Sequence, residues 1–143
     1  MQLIERAFHH EREQLRQCGL KITTQRLIIL KELMNHADHP TVHMIHEAVK
    51  KELPAVSVDT VYRTLLSFSE AGLCTVLDGM GEARRFDPKR TVHHHFICNN
   101  CGKIVDFACT EFDNLQLPSV FKKGFTVENK SVRLSGLCPD CNK

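Results

Sequence analysis

The sequence predicts an α+β chain of two unequal parts, and three observations carry that prediction. Apolar residues recur at helical spacing in four runs up to residue 71, two short strand-like runs flank a glycine-rich turn at 78–81, and two Cys-x-x-Cys knuckles stand in the last third. A length of 143 residues suits one ordinary domain or two small ones with limited core.

The elements follow in order. Residues 3–18 carry Leu3, Ile4, Ala7, Phe8, Leu15 and Cys18 at roughly helical spacing, and Gly19 ends the run. Thr23 or Thr24 offers an N-cap to a second helix that turns Leu27, Leu30, Leu33 and Met34 inward. The polar stretch from His36 to Pro40 stops it, because Pro40 biases His39 out of the helical region. Thr41 caps a third helix, with Ile45, Ala48, Val49 and Glu52 one or two turns apart, and Pro54 closes it. Ser57 caps a fourth that ends at Ala71-Gly72, with Val61, Leu65, Phe68 and Ala71 inward and Asp59, Tyr62, Arg63 and Ser67 outward. Residues 73–77 and 83–86 then read as two strands joined by the turn Asp78-Gly79-Met80-Gly81. Short helices followed by a β-hairpin describe a winged helix-turn-helix over residues 1–86, in which the last helix before the wing is placed to read DNA.

From Asp87 onward the chain holds less helix. Residues 96–98 and 103–107 read as strands around a cysteine knuckle, 111–123 as a helical stretch broken at Pro118, and 125–134 as an alternating strand. Asp87-Pro88-Lys89-Arg90 is the natural hinge. It leaves residues 87–143 as an α/β unit of about 55 residues, a size that needs a metal or a partner chain to be stable.

Composition sets the class. Charged residues at 25% and apolar ones at 42% indicate a globular chain rather than a disordered one. The charged N-terminal segment and the lack of an 18-residue apolar run predict neither a secretory signal nor a membrane span. A cytoplasmic location is therefore expected, where cysteines serve metal or redox chemistry rather than disulfides. Net charge is only +2, with 11 basic and 11 acidic residues in 1–86 and 8 against 6 in 87–143. Charge alone does not mark a nucleic-acid binder, so that case rests on local geometry and on dimerisation.

Two clusters carry chemistry. Cys98-Asn99-Asn100-Cys101 and Cys138-Pro139-Asp140-Cys141 are knuckles 36 residues apart. Their four thiolates are enough to close a tetrahedral structural zinc site, and Gly102 suits the tight turn after the first pair. A thioredoxin-like redox motif needs one such pair opening a helix, so a second matched knuckle argues against it. Cys18 and Cys74 lie in apolar patterns as core residues, and Cys109 has no neighbour that would activate it. The second cluster is His93-His94-His95. On a strand His93 and His95 share one face and His94 takes the other, and a turn at 98–101 would bring Asp106 alongside. Imidazoles with carboxylates and no thiolate suit Fe²⁺, Mn²⁺ or Zn²⁺, although a surface histidine cluster that binds nothing has the same sequence. His9, His10, His43 and His46 read as solvated helix faces.

Four segments together resemble the ferric uptake regulator family: residues 19–26, His39-Pro40-Thr41, Ser57 through Leu65, and His93 through Phe107. The resemblance runs in order along essentially the whole chain. It implies a winged-helix DNA-binding domain at 1–86, a metal-binding dimerisation domain at 87–143, and repression while metal is bound. It assigns structural zinc to Cys98, Cys101, Cys138 and Cys141, one ion per chain. It implies a regulatory site for one Fe²⁺ or Mn²⁺ per chain at His39, Asp87, His93, His95 and Asp106. A cation held from both parts would fix the angle between them, and with it the spacing of two recognition helices in a homodimer on an A·T-rich inverted repeat.

On the DNA side the resemblance points to Lys21, Gln25, Arg26, Ser57, Asp59, Thr60, Tyr62 and Arg63. It places Tyr62 and Arg63 in the major groove and Lys21 at an adjacent minor groove. Asp106 stands where iron-uptake regulators of the family usually carry Glu and peroxide-sensing repressors carry Asp. An accessory metal site of the family is degraded, since its positions read Val92, His94, Asp113 and Lys130. These features favour a repressor that senses hydrogen peroxide through Fe²⁺-catalysed oxidation of His39 or His93. The alternatives are an iron-responsive repressor of iron uptake and, behind it, a zinc- or manganese-responsive one. An enzyme is not expected: the knuckle at Cys138 superficially resembles that of a nucleobase deaminase, but no His-x-Glu segment precedes it. A zinc ribbon that binds protein or RNA would leave the first 86 residues unexplained.

Overall fold

A computed structural model describes residues 6–36, 39–78, 84–88 and 91–143. The expectations for Leu3, Ile4, Ala37, Asp38, the turn and strand residues 79–83 and the hinge residues 89–90 lie outside them. The chain divides into two compact units, Met1–Arg90 and Thr91–Lys143.

In the first unit the helices are α1 (His9–Gln17), α2 (Thr24–Asn35), α3 (Val42–Val49) and α4 (Val58–Glu70). Three start on hydroxyl caps. Thr23 accepts from the Arg26 amide, Thr41 from that of Met44 and Ser57 from that of Thr60, each satisfying a helix donor that has no partner within its helix. Helix α4 stops at Gly72, whose φ of +82° is a left-handed conformation that a side chain would strain. Ile45 and Val49 on α3, and Val61, Leu65 and Phe68 on α4, are fully buried against Leu27, Ile29, Leu30 and Leu33 of α2. Val61, Leu65 and Phe68 are thus inward as the periodicity predicts, whereas Ala71 is the half-buried C-cap of the helix. On α3, Glu52 lies instead beyond the helix end, exposed and paired with Lys31 at 2.6 Å.

The hairpin is β1 (Thr75–Asp78) with β2 (Arg84–Asp87), antiparallel with Thr75 opposite Asp87 and Asp78 opposite Arg84. It starts two residues later than the sequence pattern suggests, because Leu73 and Cys74 are consumed in returning the chain to the core, where both are buried. Phe86 of β2 is fully buried in the same core. Among the described residues, these helices followed by a hairpin are the winged helix-turn-helix.

The second unit is a three-stranded sheet of order β4–β3–β5, with β3 (His94–Cys98) central, β4 (Ile104–Phe107) antiparallel to it and β5 (Arg133–Gly136) parallel. Two expectations are corrected here. The helical stretch at 111–123 is only a four-residue helix α5 (Thr110–Asp113) and a 3₁₀ turn at Ser119–Phe121. Pro118 lacks an N–H, and Leu115, Val120 and Phe121 are exposed, so no buried face holds a longer helix together. The strand expected at 125–134 is reduced to Arg133–Gly136, because the edge of β3 offers pairing only to that length.

Candidate metal and DNA-binding sites

Parallel pairing of β3 with β5 builds the cysteine cluster. Cys98 lies opposite Gly136, and the Asn99 amide donates to the Gly136 carbonyl at 2.7 Å, so both knuckles leave the sheet at the same end. The turn after Cys98 closes through the Gly102 N–H to the Cys98 carbonyl at 3.0 Å, with Gly102 at φ +75°. One ligand atom from each of Cys98, Cys101, Cys138 and Cys141 lies within 4.8 Å of the others. The Cys138 amide donates to Cys98 Sγ at 3.4 Å and the Asn100 side-chain amide to Cys141 Sγ at 3.3 Å. Backbone amides of Cys101 and Cys138 pull the Cys98 thiol down to about 6. Such donors stabilise thiolate, the form that binds metal. Four cysteines from two knuckles with their own amide donors are the donor set of a closed structural zinc site.

The imidazole–carboxylate groups of the expected regulatory site include a pair in each unit. In the first, Phe86 N–H donates to the Pro40 carbonyl at 2.9 Å, and Thr41 bridges to Arg85, which holds the segment after α2 against β2. His39 Nε2 consequently lies 3.5 Å from Asp87 Oδ2, and that carboxylate is almost fully buried. A carboxylate so removed from water requires a cationic partner or a metal. In the second unit the β3–β4 register sets His95 opposite Asp106, with Nε2 and Oδ1 3.2 Å apart. His93 precedes the strand, its ring centroid 4.7 Å from that of His95. Its Nδ1 meets the Thr91 carbonyl at 2.6 Å. A carbonyl only accepts, so the proton sits on Nδ1 and Nε2 keeps the lone pair that a metal would take.

His94 takes the opposite face, and its role, which the sequence leaves open, is a structural clamp. It is fully buried, with ring centroids 5.6 Å from Phe107 and 5.5 Å from Phe112. The Val132 amide donates to Nδ1 at 3.0 Å, so Nε2 carries the proton and donates to Asp113 Oδ1 at 2.8 Å. Lys130 donates to the Leu115 carbonyl at 2.6 Å. Three of the four degraded accessory positions thus tie the unit together through hydrogen bonds, while Val92 is exposed. Among the other cysteines Cys74 is buried, and burial, then the charge of Asp87, pushes its thiol up to about 12. Cys18 is half-buried against the core, and Cys109 donates to Glu111 at 3.3 Å. His46 is not simply solvated, since it donates to the Val56 carbonyl at 2.9 Å.

The DNA-facing candidates lie in the first unit. Lys21 and Gln25 are exposed, and Arg26 holds the Lys21 carbonyl at 2.8 Å. Ser57 is engaged in the α4 cap with Thr60, to whose Oγ1 it donates at 2.9 Å. Arg63 is exposed and paired with Asp59 at 2.9 Å. Tyr62 is half-buried, and its hydroxyl accepts from Arg84 Nη1 at 3.0 Å. Nothing in the composition or motifs of the sequence singles out Arg84. Only its place in the strand after a turn could have signalled it.

Comparison with known proteins gives a consistent result. The family model described as Ferric uptake regulator family matches residues 17–135. The chain is 39% identical over 131 residues to the peroxide operon regulator of Bacillus subtilis (strain 168), covering 92% of this chain and 90% of that one. Its fold is similar to that of the ferric uptake regulator from Pseudomonas aeruginosa solved with manganese, with a TM-score of 0.77 and 27% identity over 91% of this chain and 98% of the other. It is similar also to the Campylobacter jejuni peroxide stress regulator, with a TM-score of 0.68 and 29% identity over 99% of this chain and 100% of the other. The chain belongs to the ferric uptake regulator family.

Proposed function

We propose that this chain is a metal-dependent, DNA-binding transcriptional repressor that responds to hydrogen peroxide. The observation that carries the reading is that each unit contributes an imidazole–carboxylate pair from the expected ligand set, His39–Asp87 and His95–Asp106. Together with His93 they offer five nitrogen and oxygen donors, which suits Fe²⁺ or Mn²⁺. Residues 1–86 would bind DNA and residues 87–143 would dimerise and hold metal. In this reading both pairs share one cation, and His39 and Asp87 bind it only when the first unit is held at the angle that suits two half-sites. Cys98, Cys101, Cys138 and Cys141 would hold zinc and keep the second unit folded. Tyr62 and Arg63 would reach base edges in the major groove and Lys21 the adjacent minor groove, as in the family resemblance.

Peroxide sensing is favoured by the similarity to the Bacillus subtilis and Campylobacter jejuni proteins and by Asp106 as the second unit's carboxylate. Bound Fe²⁺ would supply the one-electron chemistry that activates peroxide. A ring carbon of His39 or His93 would take one oxygen from hydrogen peroxide, the other leaving as water. An oxidised ring is a poorer ligand, so the metal and then the DNA would be released. Mn²⁺ would sustain repression without this sensitivity.

Fluorescence anisotropy on a duplex with an A·T-rich inverted repeat tests the reading. Binding should require added Mn²⁺ or Fe²⁺, and peroxide should abolish it only in the Fe²⁺ form, with one oxygen added to His39 or His93 by mass spectrometry. Oxidation confined to cysteine or methionine would overturn peroxide sensing and leave an iron-responsive repressor. DNA affinity indifferent to metal would overturn the regulator itself.

A further inference from the structure

Strand β2 joins the two functional features of the first unit within four residues. Strand side chains alternate between faces, and here the alternation divides the work. Arg85 and Asp87 serve His39: Arg85 Nη1 donates to the His39 carbonyl at 3.0 Å, and Asp87 Oδ2 lies 3.5 Å from His39 Nε2. Arg84 and Phe86 serve the helical side. Phe86 is sunk in the core, and Arg84 Nη1 donates to the Tyr62 hydroxyl on α4 at 3.0 Å. The same guanidinium is steadied by Asp78 across the hairpin, with Nε 3.4 Å from Oδ1. The main chain of the strand is fixed as well, because Phe86 N–H donates to the Pro40 carbonyl at 2.9 Å.

We propose that β2 is a coupling strand inside the first unit, in which Arg84 positions the Tyr62 ring for DNA while Arg85 and Asp87 hold the same strand to His39. This rests on the reading of His39–Asp87 as half of the metal site and of Tyr62 as a base-contacting residue, and it adds a route that needs no movement between units. A cation held by His39 and Asp87 fixes one end of the strand. The other end then presents Arg84, and through it Tyr62, in a single arrangement. Arg84 is a positioning residue and carries the charge-assisted hydrogen bond to the phenol.

The test is a double-mutant cycle on the full zinc-loaded chain: wild type, Arg84→Gln, Tyr62→Phe and the double variant. Each is titrated onto a labelled duplex carrying an A·T-rich inverted repeat, with and without saturating Mn²⁺. Each single change should weaken Mn²⁺-dependent binding by about tenfold, the scale of an ordinary coupling. The double variant should be no weaker than either single one. Mn²⁺ affinity of the DNA-free chain should be unchanged, and Arg84→Lys, which keeps a donor, should recover part of the loss. The salt dependence should also stay the same, since losing a direct phosphate contact would lower its slope by about 1. Effects that multiply in the double variant, or a lowered slope in Arg84→Gln, would overturn the proposal. A wild-type chain whose DNA affinity ignores Mn²⁺ would instead overturn the proposed function, which separates the two failures.

Discussion

The two units stay folded by different means. The first encloses an aliphatic and aromatic core, from Leu15, Leu27 and Ile29 through Ile45, Val61, Leu65 and Phe68 to Phe86. In the second the buried side chains are Ile97, Cys98 and Cys138 together with His94 and His95, while Val92, Val120 and Phe125 are more than half exposed. Burial of apolar area can account for the first unit. It cannot for the second, where, apart from Ile97, the buried groups are thiols and imidazoles whose stabilisation comes from what they bind. The contrast predicts that in the second unit zinc binding and folding are linked.

The largest effect should come from breaking the cysteine cluster. Cys138→Ser, or chelation of the zinc, removes a contribution on the order of 10 kcal/mol. Amide resonances of the second unit should collapse while those of the first persist in a heteronuclear NMR spectrum. Next in size is the core of the first unit. Phe86→Ala should lower that unit's stability by about 3–5 kcal/mol in denaturant unfolding, with the zinc content unchanged. The His94 clamp comes third. His94→Ala leaves Asp113 and the Val132 amide without their partner and empties a space beside Phe107 and Phe112. A loss of about 2–4 kcal/mol confined to the second unit is expected, read as a lower temperature of zinc release.

The smallest effects sharpen the comparison. Ser57→Ala should cost about 1 kcal/mol through the lost cap of α4. Cys74, pushed up to about 12 by burial, stays a neutral thiol at any ordinary pH. Above the ordinary thiol value of 9.0 the unfolded chain can ionise Cys74 while the folded chain cannot until about 12, so stability should fall as pH rises through that window and owe nothing to this thiol below it. Cys74 should therefore resist iodoacetamide at pH 8 in the folded chain, while the knuckle cysteines react once zinc is stripped.

The two units also differ in how far the sequence reveals them. In the first, caps and periodicity agree, so Thr23, Thr41 and Ser57 mark their helices and Val61, Leu65 and Phe68 mark the inward face. In the second, local pattern misleads at 111–134. There the strand length is set by the edge of β3, and Pro118 interrupts a face that is not buried. The knuckles are legible because cysteine spacing states its chemistry directly. His94 and Arg84 are not, because each owes its place to partners far along the chain, Asp113 and Val132 for one and Tyr62 for the other.

The central claim, that one cation takes donors from both units, is tested most directly by calorimetric Mn²⁺ titration of the zinc-loaded chain as wild type, His39→Ala and His95→Ala. One Mn²⁺ per chain is expected for wild type. Both variants should lose more than about tenfold in affinity, the effect of removing even an outer-shell partner. If His39→Ala binds Mn²⁺ as tightly as wild type while His95→Ala does not, the ion belongs to the second unit alone and the account is contradicted.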